Sequence, residues 1–498
     1  MLFNSLDFII FFPVVAFLYF LIPAKGKHVW LLLASYYFYM SWNAGYAVLI
    51  LCSTVITYTC GRLLERAGQI GDEKKKRFWK TCCLTASLTA NLFLLFLFKY
   101  YGFAASALES LLPYLGITVK MPEISLLLPV GISFYTFQAL GYTIDVYRDE
   151  LRAEKNLIQY ALFVSFFPQL VAGPIERAGN LLSQLRRTDR RFDYEQAREG
   201  LLLMLWGYFL KLVLADRIAI FVNTVYGDYE SYGGVYLILA TILFAFQIYC
   251  DFAGYSVIAT GAARIMGFTL MENFDAPYLS CSVSEFWRRW HISLSSWFRD
   301  YLYIPLGGNR KGRGRKFLNL FLVFCISGLW HGANWTFVIW GALNGLYQIA
   351  GEVCRPLRER LRRFFRLRAG GAGERLAAMA VTFCLVDFAW LFFRAQSVGA
   401  AFAMIKSIRT QWNPWILFDG SLYELGLSEK SFTVMLLSLA VLLAADVMKY
   451  RGVCIRRIIL AQTCWFRYLV FAGSALLITL IGVWGIGFAE SGFIYFQF

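Results

Sequence analysis

The chain alternates between long apolar runs and short polar stretches, most of them basic. Runs able to cross a hydrocarbon core of ~30 Å, or nearly so, fall at 8–23, 29–42, 46–60, 81–103, 124–146, 199–225, 235–267, 317–330, 336–352, 376–394, 431–448 and 467–487. Each predicts an α-helix, because backbone in lipid must satisfy its hydrogen bonds within its own segment. A further apolar stretch, Leu157–Ala172, is short and contains Pro168, so it reads as re-entrant rather than spanning. The first run follows only Asp7 and precedes no small-residue cleavage site, which predicts a retained span. The expectation is an all-α polytopic membrane protein forming one transmembrane domain over 1–498. Its central region is 235–352, and a cytoplasmic segment covers 270–316.

Composition supports this reading: 59% of the 498 residues are hydrophobic, 18% aromatic and 16% charged, too apolar for an ordinary soluble domain. A formal net charge of +16 would point to nucleic acid in a soluble protein, but here the basic residues collect in short loops and set topology instead. No nucleic-acid partner is expected. Lys25 and Lys27, Lys74 to Arg77, Arg186 to Arg191, 288–316, 355–375 and 449–457 are placed in the cytoplasm, whereas 104–123, 226–234 and 410–430 face outward, leaving both termini outside. The segment 353–375 is a basic amphipathic stretch suited to anionic lipid. The eleven cysteines lack the paired spacings of a zinc or disulfide framework, so no metal site is expected.

Only three histidines occur, His28, His291 and His331. His331 lies in GLWHGANW, after the fourteen-residue run Phe317–Trp330. That run measures ~21 Å as a helix, short of the ~30 Å core, so the His331–Asn334 turn is expected at membrane depth, inside protein or a water-filled cavity. An ionisable residue there is a functional candidate; a histidine merely tying two helices together is the alternative. A neutral imidazole can take the proton of an attacking hydroxyl and return it to a leaving thiolate. Asn334 is a candidate to orient the ring or polarise a carbonyl.

His291 lies in EFWRRWHISLSSWFRD, read as one amphipathic interfacial helix. Trp287, His291, Leu294 and Phe298 form one stripe, and Arg288, Ser295 and Arg299 another. A core histidine and a functional one are both open here. The loop GGNRKGRGRK, 307–316, offers Arg310 and its basic neighbours to a phosphate group or to lipid headgroups. Trp287, Arg288, Arg289, Trp290, Ser295, Arg299 and Arg310 are therefore candidate binding residues. Within other spans, Gln247, Asp251 and Tyr255 are candidates for lining the cavity, Asp251 foremost. Asp145, Glu176 and Asp387 are further carboxylates at depth that need partners.

At SFYTFQALGYTIDVYR (133–148), FPQLVAGPIER (167–177), QIYCDFAGYS (247–256), the block 272–310, GLWHGANWTFVIWGALNG (328–345), FFRA (392–395) and FIYFQF (493–498), the chain resembles the membrane-bound O-acyltransferase family, specifically its alginate O-acetylation branch. The resemblance covers most of the chain. It implies a ring of about 11–12 helices around a central tunnel, with re-entrant and interfacial helices. His331 would match the catalytic histidine and His291 a second essential one. It further implies a cytosolic acetyl-CoA or acyl-carrier thioester as donor with no tightly bound cofactor, and a bacterial inner-membrane location. An extracytoplasmic relay protein would pass acetyl to an exopolysaccharide. D-alanyl transfer proteins share the RWH and SLS pattern but differ in lacking the LGGNR loop and the FIYFQF end. A transporter or channel lined by the same polar residues is the competing class, although no matching halves with discontinuous helices are evident. A scaffold would leave His331 unexplained.

Overall fold

The computed structural model describes residues 1–117, 119–123, 128–171, 173–364, 370–484 and 492–496. Among these residues all regular structure is helical. Among the described residues six helices are long and apolar enough to cross a membrane: Tyr46–Ala67, Glu73–Leu115, Gly234–Ile265, Ala372–Arg394, Glu429–Tyr450 and Cys464–Ile481. The protein is an all-α polytopic membrane protein. The remaining apolar runs fall on helices that are shorter, such as Leu6–Leu21, Lys27–Met40 and Ile132–Tyr147, or that begin in basic sequence, such as Gly312–His331. Residues 124–127 and 485–487 of two expected spans lie outside the described residues.

The chain divides into two compact units, Met1–Leu201 with Ala259–Met271, and Leu202–Ile258 with Glu272–Phe498. In the first, the helices pack through aromatic rings and buried hydroxyls. Tyr160 donates to Thr57 Oγ1 at 2.6 Å and lies 4.5 Å from the Tyr142 ring, and Ser53 donates to Asn91 Oδ1 at 2.6 Å. The expected re-entrant stretch is a nine-residue helix, Leu157–Ser165, followed by the short Phe167–Leu170; Ala172 lies outside the described residues. At ~1.5 Å per residue the first helix measures ~14 Å and cannot cross a bilayer. Glu176 is buried in this unit, accepting the Met271 N–H at 2.5 Å and the Asn180 amide at 2.7 Å.

The second unit carries three differences from the sequence expectation. First, the run 199–225 is one helical path interrupted by a wide turn: Tyr194–Tyr208, then π-helical Phe209–Ala215, then Asp216–Gly227. Second, the helix before His331 starts at Gly312, so it has 20 residues, ~30 Å, rather than fourteen. His331 is therefore its last residue, and only the three residues after it form the turn to helix Trp335–Val353. The apolar run begins at Phe317, but the backbone extends the helix through Arg313 and Arg315, which are exposed, and Lys316, which pairs with Glu352. Third, the amphipathic helix expected through His291 is broken into Val283–Arg289 and Ile292–Phe298. Hydrophobic spacing could not show this break, because both halves keep the same apolar stripe.

Helices Gly312–His331 and Trp335–Val353 pack as a close hairpin. A β-carbon on Gly328 would lie 2.2 Å from the Phe337 carbonyl oxygen, and one on Gly341 would lie 2.2 Å from that of Phe324. Small residues at facing positions let the backbones approach, as is usual between membrane helices. That approach sets where the His331 end of the hairpin stands.

Candidate active site

His291 occupies the break between the two short helices with φ 44° and ψ 54°, a left-handed conformation rare outside glycine. Such a residue costs of order 1–3 kcal/mol and persists only where its surroundings hold it. The holding group is Asn273. Its carbonyl accepts the Ile292 N–H at 3.0 Å, and its side-chain oxygen accepts Ser293 N–H at 3.3 Å and Ser293 Oγ at 2.6 Å. The Asn273 amide donates to Ser256 on helix Gly234–Ile265 at 3.1 Å, so the turn is anchored to a spanning helix. At the preceding helix, Ser282 caps the Glu285 N–H at 3.1 Å while Glu285 accepts the Cys281 N–H at 2.9 Å, an N-terminal box that fixes where the helix starts.

Both candidate histidines are buried, His291 fully, and their ring centroids are 6.5 Å apart. Aromatic rings surround them. His331 lies 4.9 Å from Trp330, 5.0 Å from Trp340, and 5.5 Å from both Phe393 and Tyr495. His291 meets Phe252 edge-on at 4.6 Å and Tyr495 at 6.4 Å. Burial pushes the His291 imidazole down to about 3, so it is neutral at physiological pH. A ring held neutral in this way offers one hydrogen-bond donor and one acceptor.

The other expected residues divide into two groups. Near the histidines, Trp290 is buried against Phe274 at 5.1 Å and Trp390 at 5.2 Å. Trp287 donates to Asn344 at 3.1 Å and packs on Trp340 at 5.5 Å. Tyr255 stacks near Phe493 at 4.6 Å, and Gln247 is buried on the same helix as Asp251. Ser295 is half-buried and donates to the Trp290 carbonyl at 3.3 Å. Away from the rings, Arg288, Arg299 and Arg310 are exposed. Arg289 is engaged by Asp275 and Glu285, each at 3.0 Å. Asn334 caps helix Trp335–Val353 by accepting the Thr336 N–H at 3.1 Å, and its amide donates to the Gln396 carbonyl at 3.2 Å. Its oxygen thus serves the helix start, while its amide ties it to the chain that follows helix Ala372–Arg394.

Asp251 takes part in a buried ion cluster. Lys211 Nζ lies 2.6 Å from Asp251 Oδ1 and 2.8 Å from Asp216 Oδ1, and all three side chains are at most 5% exposed. The wide turn explains the geometry. Residues i and i+5 diverge on an ordinary α-helix, but here the Asp216 N–H bonds back to the Lys211 carbonyl and brings the two side chains to one face. Sequence reading missed Lys211, although a lone lysine within LWGYFLKLVLAD had to find a counter-charge in an apolar setting. It also missed Asn273, for which no local signal exists.

The family model for MBOAT, the membrane-bound O-acyltransferases, matches residues 92–386. A probable alginate O-acetylase of Azotobacter vinelandii is 36% identical over 420 residues, 84% of this chain and 80% of that protein. A peptidoglycan O-acetyltransferase of Helicobacter pylori is 34% identical over 439 residues, 82% of this chain and 80% of its own. A teichoic acid D-alanyltransferase of Streptococcus thermophilus is 32% identical over 238 residues, 45% of this chain and 56% of its own.

Proposed function

Because the chain belongs to the membrane-bound O-acyltransferase family, we propose that it carries an acetyl group from acetyl-CoA in the cytosol, along a tunnel, to an acceptor beyond a bacterial inner membrane. It is an acyltransferase in a membrane, similar over most of its length to O-acetylases. The end use in this reading is O-acetylation of an exopolysaccharide such as alginate, through an extracytoplasmic relay protein. The observation that carries the reading is the enclosed pair His291 and His331, 6.5 Å apart within aromatic walls.

In the proposed step, His331 takes the proton from the acceptor hydroxyl as its oxygen attacks the thioester carbonyl carbon. The carbon–sulfur bond then breaks, and the leaving thiolate recovers the proton, so an alcohol and a thioester become an ester and a thiol. Neutral His291 assists or positions the reacting groups from the facing turn. The exposed Arg310, Lys311, Arg313 and Arg315 stand available to the donor phosphates, while Lys316 pairs with Glu352. Longer coverage by O-acetylases than by the D-alanyl relative favours acetyl as the group transferred.

The test uses radiolabelled acetyl-CoA with membranes carrying wild-type protein or His331→Ala at matched expression. Wild type should label the extracytoplasmic acceptor, and the variant should lose most of that label. Equal labelling would make His331 structural and end the mechanism. Absence of label from both would move the test to D-alanyl carrier protein as donor.

A further inference from the structure

We propose that Asp251 is a positioning residue: its carboxylate, charge-balanced by Lys211, latches the segment 492–496 so that Tyr495 is held against both histidines. Four observations converge on this. The Ile494 N–H donates to Asp251 Oδ2 at 2.7 Å, while the other carboxylate oxygen faces Lys211 at 2.6 Å. Tyr495, the next residue, is fitted among His291, His331 and Phe252, the last at 4.6 Å. Phe493, the residue before, lies 4.6 Å from Tyr255, whose ring in turn lies 5.4 Å from Lys211 Nζ. The chain leaving helix Cys464–Ile481 is tied to the helix that carries Lys211: Arg217 donates to the Ile481 carbonyl, and the Val483 N–H donates to the Leu212 carbonyl at 2.8 Å.

The physical logic is one of charge. Lys211 faces two carboxylates, Asp216 and Asp251, in a buried setting, where a further hydrogen-bond donor to Asp251 is valuable. The Ile494 N–H supplies that donor. A charge-assisted bond to a main-chain N–H fixes backbone rather than a side chain, and Tyr495 is placed by the backbone it follows. The wide turn at Phe209–Ala215 is thereby given a purpose, since it assembles the lysine and its second carboxylate on one face.

The kinetic part of this proposal rests on the acetyl-transfer reading above; the latch itself does not. The experiment is hydrogen–deuterium exchange on the full-length protein in lipid nanodiscs, following the peptide that covers 492–498, alongside acetyl-transfer kinetics. Asp251→Leu should raise exchange of that peptide by about tenfold or more, the signature of local release. Asp251→Asn, which keeps an acceptor, should do so less. Ile494→Pro, which removes the donor and leaves every charge in place, should release Phe493 and Tyr495 in the same way. Each should lower kcat with little change in donor KM. In a Tyr495→Ala background, Asp251→Leu should add no further loss of kcat, because the two act in series. Unchanged exchange in Asp251→Leu and Ile494→Pro overturns the latch. Released exchange with kcat losses that multiply, or with kcat unaltered, overturns the positioning role. If wild type transfers no acetyl group, the functional reading fails while the exchange result alone still decides the latch.

Discussion

The rings of His291 and His331 stand 6.5 Å apart although one closes a helical hairpin's first arm and the other occupies a left-handed break between two short helices. Their approach depends on two separate local devices: the glycine seam at Gly328 and Gly341, and the Asn273 anchor beneath His291.

At position 291 the backbone and the side chain make opposite demands. His291→Gly should relieve the left-handed strain and His291→Ala should not, so the glycine variant should be the more stable by about 1 kcal/mol. Both should lose acyl transfer. Melting temperature in detergent and acetyl transfer, measured together, separate the two effects.

Acid should destabilise the protein partly through this residue. The folded-state imidazole is pushed down to about 3 by burial, while the unfolded value lies near 6.5. Between those values the unfolded chain binds more protons, so stability present above pH 6.5 is lost as pH falls towards 3, amounting to roughly 2 kcal/mol by pH 5. His291→Gly should show a smaller drop in melting temperature between pH 7 and pH 5 than wild type. An identical drop would mean that His291 does not titrate in this way.

Asn273→Ala should remove the acceptor for Ser293 and the donor to Ser256 at once. A loss of about 1–3 kcal/mol is expected for the groups left unpaired. Because His291 stays in place, the mark of a positioning effect is kcat falling more than the melting temperature alone would cause. Asn273→Asp, which keeps the acceptor, should recover part of it.

Lys211→Met leaves Asp216 and Asp251 buried without their counter-charge, which for a broken buried pair costs roughly 3–5 kcal/mol. The double variant Lys211→Met with Asp251→Asn should be more stable than Lys211→Met alone. Thermal unfolding of the single and double variants measures this coupling directly.

Gly328→Leu should open the hairpin, since even a β-carbon there meets the Phe337 carbonyl oxygen at 2.2 Å and neither partner is a flexible side chain. A destabilisation of at least 1–3 kcal/mol is expected, together with loss of activity. A nearby exposed position, Leu322→Ala, should leave both nearly unchanged.

What the sequence determined by itself was everything that depends on local composition: apolar runs, basic loops and the rarity of histidine. A helix in lipid closes its hydrogen bonds within one segment, so its existence is written in that segment alone. Even there the ends drifted, as at Gly312, because polar residues can extend a helix into water without appearing in an apolar count. Only the tertiary structure decided that Lys211 meets Asp251, that Ile494 bonds to that same carboxylate, and that Asn273 holds the turn at His291. Those partners lie far apart or in irregular chain, and they meet because buried charge and unpaired backbone groups must be satisfied by whatever the packing brings near. Hydrophobic periodicity marks which face of a helix is buried; it carries no record of what that face is buried against.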